Sequence, residues 1–244
     1  MKTIAKITTG LIVGLALSVP ASAQWGNKTI SGNGNVTTKT VSTGNYDAIK
    51  GVGSMDIHLE KGSEGNISVT TDDNLHEYIE IKTKGSDLVI TTKKGYNLRT
   101  RKGIHVTVPF QDLNEVTITG SGDVETKDTI SADEMAVNVT GSGDIDLDIK
   151  ATTTMVKVTG SGDIELNGST RDLEVRISGS GDFKGYGLES TNTNVSVSGS
   201  GDAQVVANNS IVARVNGSGD VSYRGNPAQS DTKTSGSGSI NSRN

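Results

Sequence analysis

The sequence predicts an all-β protein, and more specifically a β-solenoid with rungs of about 19 residues. Glycine is abundant, with 31 residues, whereas aromatic residues make up only 3% of the chain, a composition that suits many short strands joined by tight turns. β-branched residues alternate with polar residues over most of the chain, as they do in half-buried strands. The four residues GSGD also recur at a near-constant spacing, which is typical of repeat architectures.

The GSGD repeat predicts the shape of each rung. Successive copies start 21, 19, 19, 20, 18 and 19 residues apart, at Gly120, Gly141, Gly160, Gly179, Gly199 and Gly217, with GSGS at Gly236. Apolar residues fall at even positions counted from the first glycine, so both glycines face inward while Ser and Asp face outward. A two-residue hairpin would place polar residues opposite apolar ones, which leaves a bent strand or a three-residue hairpin. The last unit carries Thr232 and Thr234 at core positions and is predicted to be a polar terminal rung.

The first 45 residues divide into two segments. Residues 1–23 have the features of a secretory signal peptide: two early lysines, an apolar run, and the small residues Ala21-Ser22-Ala23 before the cleavage point. No cysteine follows that point, so we expect no lipid anchor there. Residues 24–45 are rich in Gly, Asn and Thr, and we expect a tail or loose leading strands.

The rest of the chain is expected to form one continuous domain over residues 46–244. Residues 46–112 contain five alternating segments and form an N-terminal β region whose strands continue the same sheet stack. Residues 113–244 form the GSGD-repeat solenoid. Within the N-terminal region, residues 72–78 are predicted to be a loop or a short turn of helix.

Charge and cysteine content narrow the possible partners. The chain has no cysteine, so packing and backbone pairing rather than disulfides must stabilise it. Removal of Lys2 and Lys6 leaves 21 basic residues against 28 acidic ones, a net charge of −7, so we expect no nucleic-acid partner. Residues 82–105 depart from this balance, with seven cations against Asp87 alone. This stretch is either a solvated hairpin face or a patch for an acidic glycan or lipid head group.

Metal and cofactor sites are not expected from the spacing of ligands. His58, His76 and His105 are far apart in the sequence, and none has a metal-ligand spacing to another histidine. Stacked rungs would align the GSGD aspartates in a column about 4.8 Å apart, where their charges repel. Either each carboxylate accepts backbone N–H groups, or neighbouring carboxylates share calcium ions. We favour the backbone interpretation for this column, which consists of Asp123, Asp144, Asp163, Asp182, Asp202 and Asp220.

Several segments together resemble one bacterial family. They are GNYDAIKGVGSMDIHLEKG at 44–62, DDNL at 72–75, LVITT at 88–92, IHVTVP at 104–109 and GSGDVSYRGNP at 217–227. With the repeated VTGSGDI-type units they resemble the "putative auto-transporter adhesin, head GIN domain" family. The resemblance implies a right-handed parallel β-helix-like fold, export in Bacteroidetes-type bacteria and a role in adhesion or surface interaction. It implies no catalytic residues.

Three functions are compatible with the sequence. The first is a non-catalytic, adhesin-like surface or periplasmic protein that binds a glycan or a protein along the solenoid, with Trp25, Tyr186 and Tyr223 as the few candidates for stacking on sugars. The second is a polysaccharide lyase-like β-helix enzyme, although its candidate bases stand alone in separate rungs: Lys157, Arg171, Arg176 and Arg214. The third is a structural or regulatory cell-envelope protein. We expect the first, with no enzyme activity, no cofactor, no transmembrane segment in the mature chain, and possible homo-oligomers.

Overall fold

The computed structural model describes residues 27–243 and confirms the predicted fold class: it is an all-β solenoid of about seven turns with rungs of about 19 residues. The predicted signal peptide and Trp25 lie outside the described residues. The strands are β1 Lys28–Ser31, β2 Val36–Ser42, β3 Ala48–Gly53, β4 Asp56–Lys61, β5 Asn66–Asp72, β6 Ile79–Lys84, β7 Asp87–Thr92, β8 Tyr96–Arg99, β9 His105–Phe110, β10 Glu115–Gly120, β11 Val124–Thr126, β12 Ile130–Gly141, β13 Ile145–Gly160, β14 Ile164–Gly179, β15 Phe183–Gly199, β16 Ala203–Val206, β17 Ser210–Gly217, β18 Val221–Arg224, β19 Gln229–Gly236 and β20 Ile240–Ser242. A short 3-10 helix spans His76–Tyr78, within the segment predicted as a loop or helical turn.

The repeat units stack in parallel and in register. β13 pairs with β14 from Ile145↔Ile164 to Gly160↔Gly179, so each residue lies beside its equivalent one rung later. The inward positions of these strands are filled by buried Val, Ile and Leu side chains, which pack into one hydrophobic cluster running from Tyr46 to Val221. Because the side chains alternate strictly, the outward positions form columns of polar residues along the stack.

The GSG corner is a bend between two consecutive strands of one rung, each of which pairs in parallel with its equivalent in the next rung, so the bent-strand alternative is correct. The first glycine of each corner has φ between +117° and +144°, a region that other residues rarely adopt. A Cβ atom on it would lie 2.1–2.3 Å from the carbonyl oxygen of the equivalent glycine in the preceding rung. A Cβ atom on the second glycine would lie 2.0–2.1 Å from the corresponding carbonyl. Close stacking of rungs, and not only lack of room inside the corner, therefore requires both glycines.

The N-terminal strands continue the stack, but not in the order of the chain. β3 and β4 form a rung that pairs in parallel with β10 and β11 on one side and with β7 and β9 on the other. The first rung of the stack is therefore β7 with β9, the second is β3 with β4, and the third is β10 with β11. β2, β5 and β6 join this end through antiparallel pairs.

The segment expected as a tail or loose leading strands contains two paired strands. β2 pairs with β5, and β1 pairs with β8 in a separate two-stranded sheet. At the opposite end, every residue of β19 is exposed, which agrees with the predicted polar terminal rung. Within residues 27–243 no helix is long and apolar enough to span a membrane.

Candidate functional site

The corner of the first rung is replaced by a long insertion. In the second rung, Ser54 and Met55 alone separate Gly53 from Asp56, whereas the first rung has residues 93–104 between the equivalent positions. Ile104 is buried at the end of this loop. We call residues 93–103 the basic insertion, because its eleven residues include five cations and no acidic residue: Lys93, Lys94, Arg99, Arg101 and Lys102.

The cations of the basic insertion are free to meet a ligand. All five are exposed, and none lies within salt-bridge distance of a carboxylate among residues 27–243. The two remaining cations of the basic stretch, Lys82 and Lys84, lie on β6, which among the described residues pairs only with β7 and is an edge strand. Lysines on edge strands discourage pairing with other chains, so these two have a structural explanation.

One residue of the basic insertion, Tyr96, forms an aromatic pair with Tyr78, the last residue of the 3-10 helix. The rings of Tyr78 and Tyr96 are tilted by 48° with centroids 4.7 Å apart, and both are partly exposed. The backbone N–H of Lys93 donates to the carbonyl of Tyr78 at 2.8 Å, which places the start of the insertion next to the pair. The sequence prediction missed both tyrosines, because they come together only through the antiparallel pairing of β6 with β7.

A groove of about 440 Å³ runs along the other end of the insertion, between residues 31–34 and 99–102. Its floor is Asp72, which is buried and accepts hydrogen bonds from the Gly34 N–H at 2.6 Å and the Thr100 hydroxyl at 2.5 Å. The DDNL segment thus holds the leading loop and the basic insertion together. Its role is to position the insertion.

The aspartate column ties successive rungs together. The Oδ1 atom of each aspartate accepts the backbone N–H of its equivalent one rung later at 2.7–2.9 Å, and Asp220 accepts that of Ser239. Asp163 also accepts from Lys184 through Oδ2 at 2.8 Å. Burial raises the pKa of the Asp163 carboxyl, but the hydrogen bonds from Lys184 and the Asp182 backbone outweigh burial and lower it overall. Calcium binding by this column stays a hypothesis, which a calcium titration tests.

Two histidines that are distant in sequence lie together. His58 on β4 and His105 on β9 belong to adjacent rungs, and their rings stack with centroids 5.6 Å apart. His76 lies elsewhere, where its Nε2 contacts the Thr37 hydroxyl and carbonyl. Sequence spacing could not reveal the His58–His105 pair, because it depends on the register of β4 with β9.

The other predicted candidates are placed less favourably for binding. The guanidinium group of Arg224 covers the Tyr186 ring at 4.1 Å, and Tyr223 packs against the core. Three of the four candidate lyase bases form ion pairs with neighbouring carboxylates: Arg171 with Asp172, Arg176 with Glu174, and Arg214 with Asp231. The fourth, Lys157, is exposed on a different rung.

Solved structures with the same fold come from Bacteroides and Parabacteroides species. A putative adhesin from Bacteroides fragilis NCTC 9343 is similar with a TM-score of 0.82 and 22% identity, covering 88% of this chain and 100% of that one. A putative lipid binding protein from Parabacteroides distasonis ATCC 8503 is similar with a TM-score of 0.74 and 27% identity, covering 89% and 100%. A putative adhesin from the same strain is similar with a TM-score of 0.71 and 26% identity, covering 88% and 100%.

None of the curated proteins matches the sequence. The model of the family "Putative auto-transporter adhesin, head GIN domain" matches residues 45–227, which include the second rung, the basic insertion and six of the seven GSG corners. The chain belongs to this family of putative auto-transporter adhesins.

Proposed function

We propose that the chain is an exported, non-catalytic, adhesin-like protein that binds an acidic glycan at the cell surface or in the periplasm through its basic insertion. Family membership and the predicted signal peptide support export and adhesion. The observation that carries the glycan proposal is the set of five exposed, unpaired cations on the basic insertion.

Charge separation makes this end of the solenoid distinct. The mature chain has a net charge of −7, and the basic insertion contributes +5, so the rest of the chain carries −12. A positive surface on a negative protein attracts polyanions and orients them towards that surface. Attraction between exposed charges is screened over roughly 10 Å at 0.1 M salt, so binding of this kind weakens as salt increases.

The tyrosine pair adds a second element of recognition. Tyrosine offers an apolar ring face and a polar hydroxyl, which suits contact with sugar rings. Tyr96 belongs to the insertion and Tyr78 contacts it, whereas the Tyr186 ring is covered by Arg224. Cations beside partly exposed aromatic rings fit a polyuronate or sulfated polysaccharide better than a neutral glycan.

A lipid is the second candidate ligand, because one similar structure is that of a putative lipid binding protein. An acyl chain needs an apolar cavity, whereas the interior of this solenoid is filled by buried aliphatic side chains. An anionic lipid head group could contact only the exposed cations. We therefore favour the glycan and make anionic vesicles an arm of the test.

The test is binding of the tag-free mature chain to polygalacturonate, heparin, neutral dextran and phosphatidylglycerol vesicles. The variant K93E/K94E/R101E reverses three charges of the insertion, and K127E/K150E/K157E makes the same charge change on exposed lysines of the repeats. We expect salt-sensitive binding of the acidic polysaccharides, at least a tenfold loss for the first variant, and retained binding for the second.

Four results would overturn the proposal. Equal losses in both variants would show that only net charge matters, and equal binding of dextran would show that acidity does not matter. Binding to vesicles without binding to polysaccharide would show that the glycan assignment is wrong. Release of unsaturated sugar products during the incubation would show that the protein is a lyase.

A further inference from the structure

The His58–His105 pair has an unusual arrangement of hydrogen-bond partners. The outer nitrogens of the two rings both face acceptors: His58 Nδ1 lies 2.9 Å from Glu125 Oε1, and His105 Nε2 lies 3.0 Å from the Lys102 carbonyl. The inner nitrogens, His58 Nε2 and His105 Nδ1, face each other at 3.3 Å. The Asp56 carboxylate lies 3.7 Å from the same His105 Nδ1.

The protons on the four ring nitrogens indicate that a cation belongs between the two inner nitrogens. A carbonyl oxygen and an ionised carboxylate can only accept, so each outer nitrogen must carry a proton to make its hydrogen bond. A neutral imidazole carries one proton, so both inner nitrogens then present lone pairs to each other. Two lone pairs at 3.3 Å repel unless a proton or a metal ion lies between them.

We propose that His58 Nε2 and His105 Nδ1 bind a divalent transition-metal ion, with Zn²⁺ the best match, and that Asp56 supplies a third ligand. Zinc binds histidine nitrogen at about 2.0–2.1 Å in tetrahedral geometry, which separates two such nitrogens by about 3.3–3.4 Å. The inner nitrogens already have this separation. This inference does not depend on glycan binding.

The surrounding groups are those that support a zinc site. Metal-bound histidines usually donate their other N–H to a carboxylate or a backbone carbonyl, and here Glu125 and the Lys102 carbonyl are those acceptors. Two carboxylates, Asp56 and Glu125, balance the charge of a divalent ion. Both rings are partly exposed, with side-chain exposures of 35% and 42%, so an ion and a water ligand can reach them.

One adjustment is needed for full coordination. In the present side-chain orientations no three His, Asp or Glu groups of residues 27–243 surround a common point as metal ligands do. The Asp56 carboxylate is in register with His105 and lies at the outer surface, so rotation of its side chain brings an oxygen to the ion. The proposal departs, for this pair, from the expectation from sequence spacing that these histidines are not metal ligands.

Bound metal would fasten together two rungs that are far apart in the chain. His105 belongs to the first rung and His58 to the second, while Glu125 belongs to the third. The Lys102 carbonyl that holds His105 lies at the end of the basic insertion. An ion at this position therefore stabilises the N-terminal end of the stack and the base of the insertion.

The test is titration of the tag-free mature chain with ZnCl₂ by isothermal calorimetry, together with thermal melting. We compare H58Q, H105Q and E125Q with H76Q, which changes the one histidine outside the pair. We expect one Zn²⁺ per chain, loss of at least 100-fold in affinity for H58Q and H105Q, a 10–100-fold loss for E125Q, and no change for H76Q. The melting temperature should rise on addition of Zn²⁺ in the wild type and in H76Q, and in no other variant.

The controls keep each outcome decisive. The histidine-to-glutamine changes lie on partly exposed side chains, and the melting temperature without metal shows whether each variant folds. Absence of saturable binding at millimolar Zn²⁺ would overturn the proposal and leave a shared proton as the ion of the pair. Equal affinity of H58Q and H76Q would overturn it as well, because binding would then be to scattered surface carboxylates.

Discussion

Substitution of Asp202 separates the two interpretations of the aspartate column. Its Oδ1 accepts the backbone N–H of Asp220 at 2.7 Å, and its own N–H donates to Asp182 Oδ1 at 2.8 Å. Asn keeps an oxygen acceptor of the same shape but removes the charge, whereas Ala removes both. A column built to tie rungs together tolerates Asn and not Ala, whereas a column built to hold cations tolerates neither.

The expected magnitudes follow from the hydrogen bond and from charge repulsion. A hydrogen bond to a charged group contributes about 1.5–3 kcal/mol, and the low end applies to an exposed carboxylate. Each neighbouring aspartate, about 4.8 Å away, repels Asp202 by about 0.9 kcal/mol in water. Asp202→Ala therefore loses the bond but regains part of the repulsion, whereas Asp202→Asn keeps a neutral bond of about 1 kcal/mol and regains the same repulsion. We expect Asn to exceed Ala in stability by about 1 kcal/mol.

The assay is thermal and chemical unfolding of both variants and the wild type, each with and without millimolar calcium. For a chain of this size about 1 kcal/mol corresponds to roughly 2–4 °C in Tm. We expect Asp202→Asn to melt roughly 2–4 °C above Asp202→Ala, and calcium to change none of the three Tm values. Equal destabilisation by Asn and Ala, or a rise in wild-type Tm with calcium that both variants abolish, would refute the backbone interpretation.

Two further predictions concern the corners and the column. Gly143→Ala places a Cβ atom 2.0 Å from the Gly122 carbonyl oxygen and should destabilise the protein by about 3 kcal/mol. In the control variant Gly44→Ala the new Cβ atom would lie 3.9 Å from its nearest neighbouring atom. That variant should change stability by less than about 0.5 kcal/mol. Similar effects of the two in urea unfolding would contradict the close stacking of rungs. Because the folded-state pKa of Asp163 is lowered, its carboxylate stabilises the fold above the unfolded pKa of about 3.9 and loses that effect as pH falls through the lower folded pKa. The stability difference between wild type and Asp163→Asn should thus shrink below pH 4, and a pH-independent difference would contradict it.

The repeat region was predictable because its sequence encodes the same geometry several times. The parity of Val137 and Val139 with the following glycines determines which side chains are buried, and equal spacing implies equal rungs. The second rung carries the same corner as GSMD at Gly53, with Met55 in place of the inner glycine. That variant corner could have been recognised from its place in the chain, because an alternating strand precedes it and another follows it.

The order of the first two rungs was not predictable from local patterns. The pairing of Val52 with Thr91 joins segments that share no repeat, so nothing in their sequences specifies which strand lies below which. The same long-range register brings His58 beside His105 and places the insertion at a corner. The charges of the insertion were visible in the sequence, whereas their position at one end of the solenoid and the Tyr78–Tyr96 pair required the fold.

Hydrogen exchange of the wild-type mature chain, with and without polygalacturonate, tests the proposed function most directly, because it locates the ligand on the chain. We expect slower exchange in residues 93–103 and beside Tyr78, and unchanged exchange in the repeat strands β13–β15. Protection of the repeat strands without protection of residues 93–103 would place binding on the solenoid face. That result would contradict the basic insertion as the site of glycan binding.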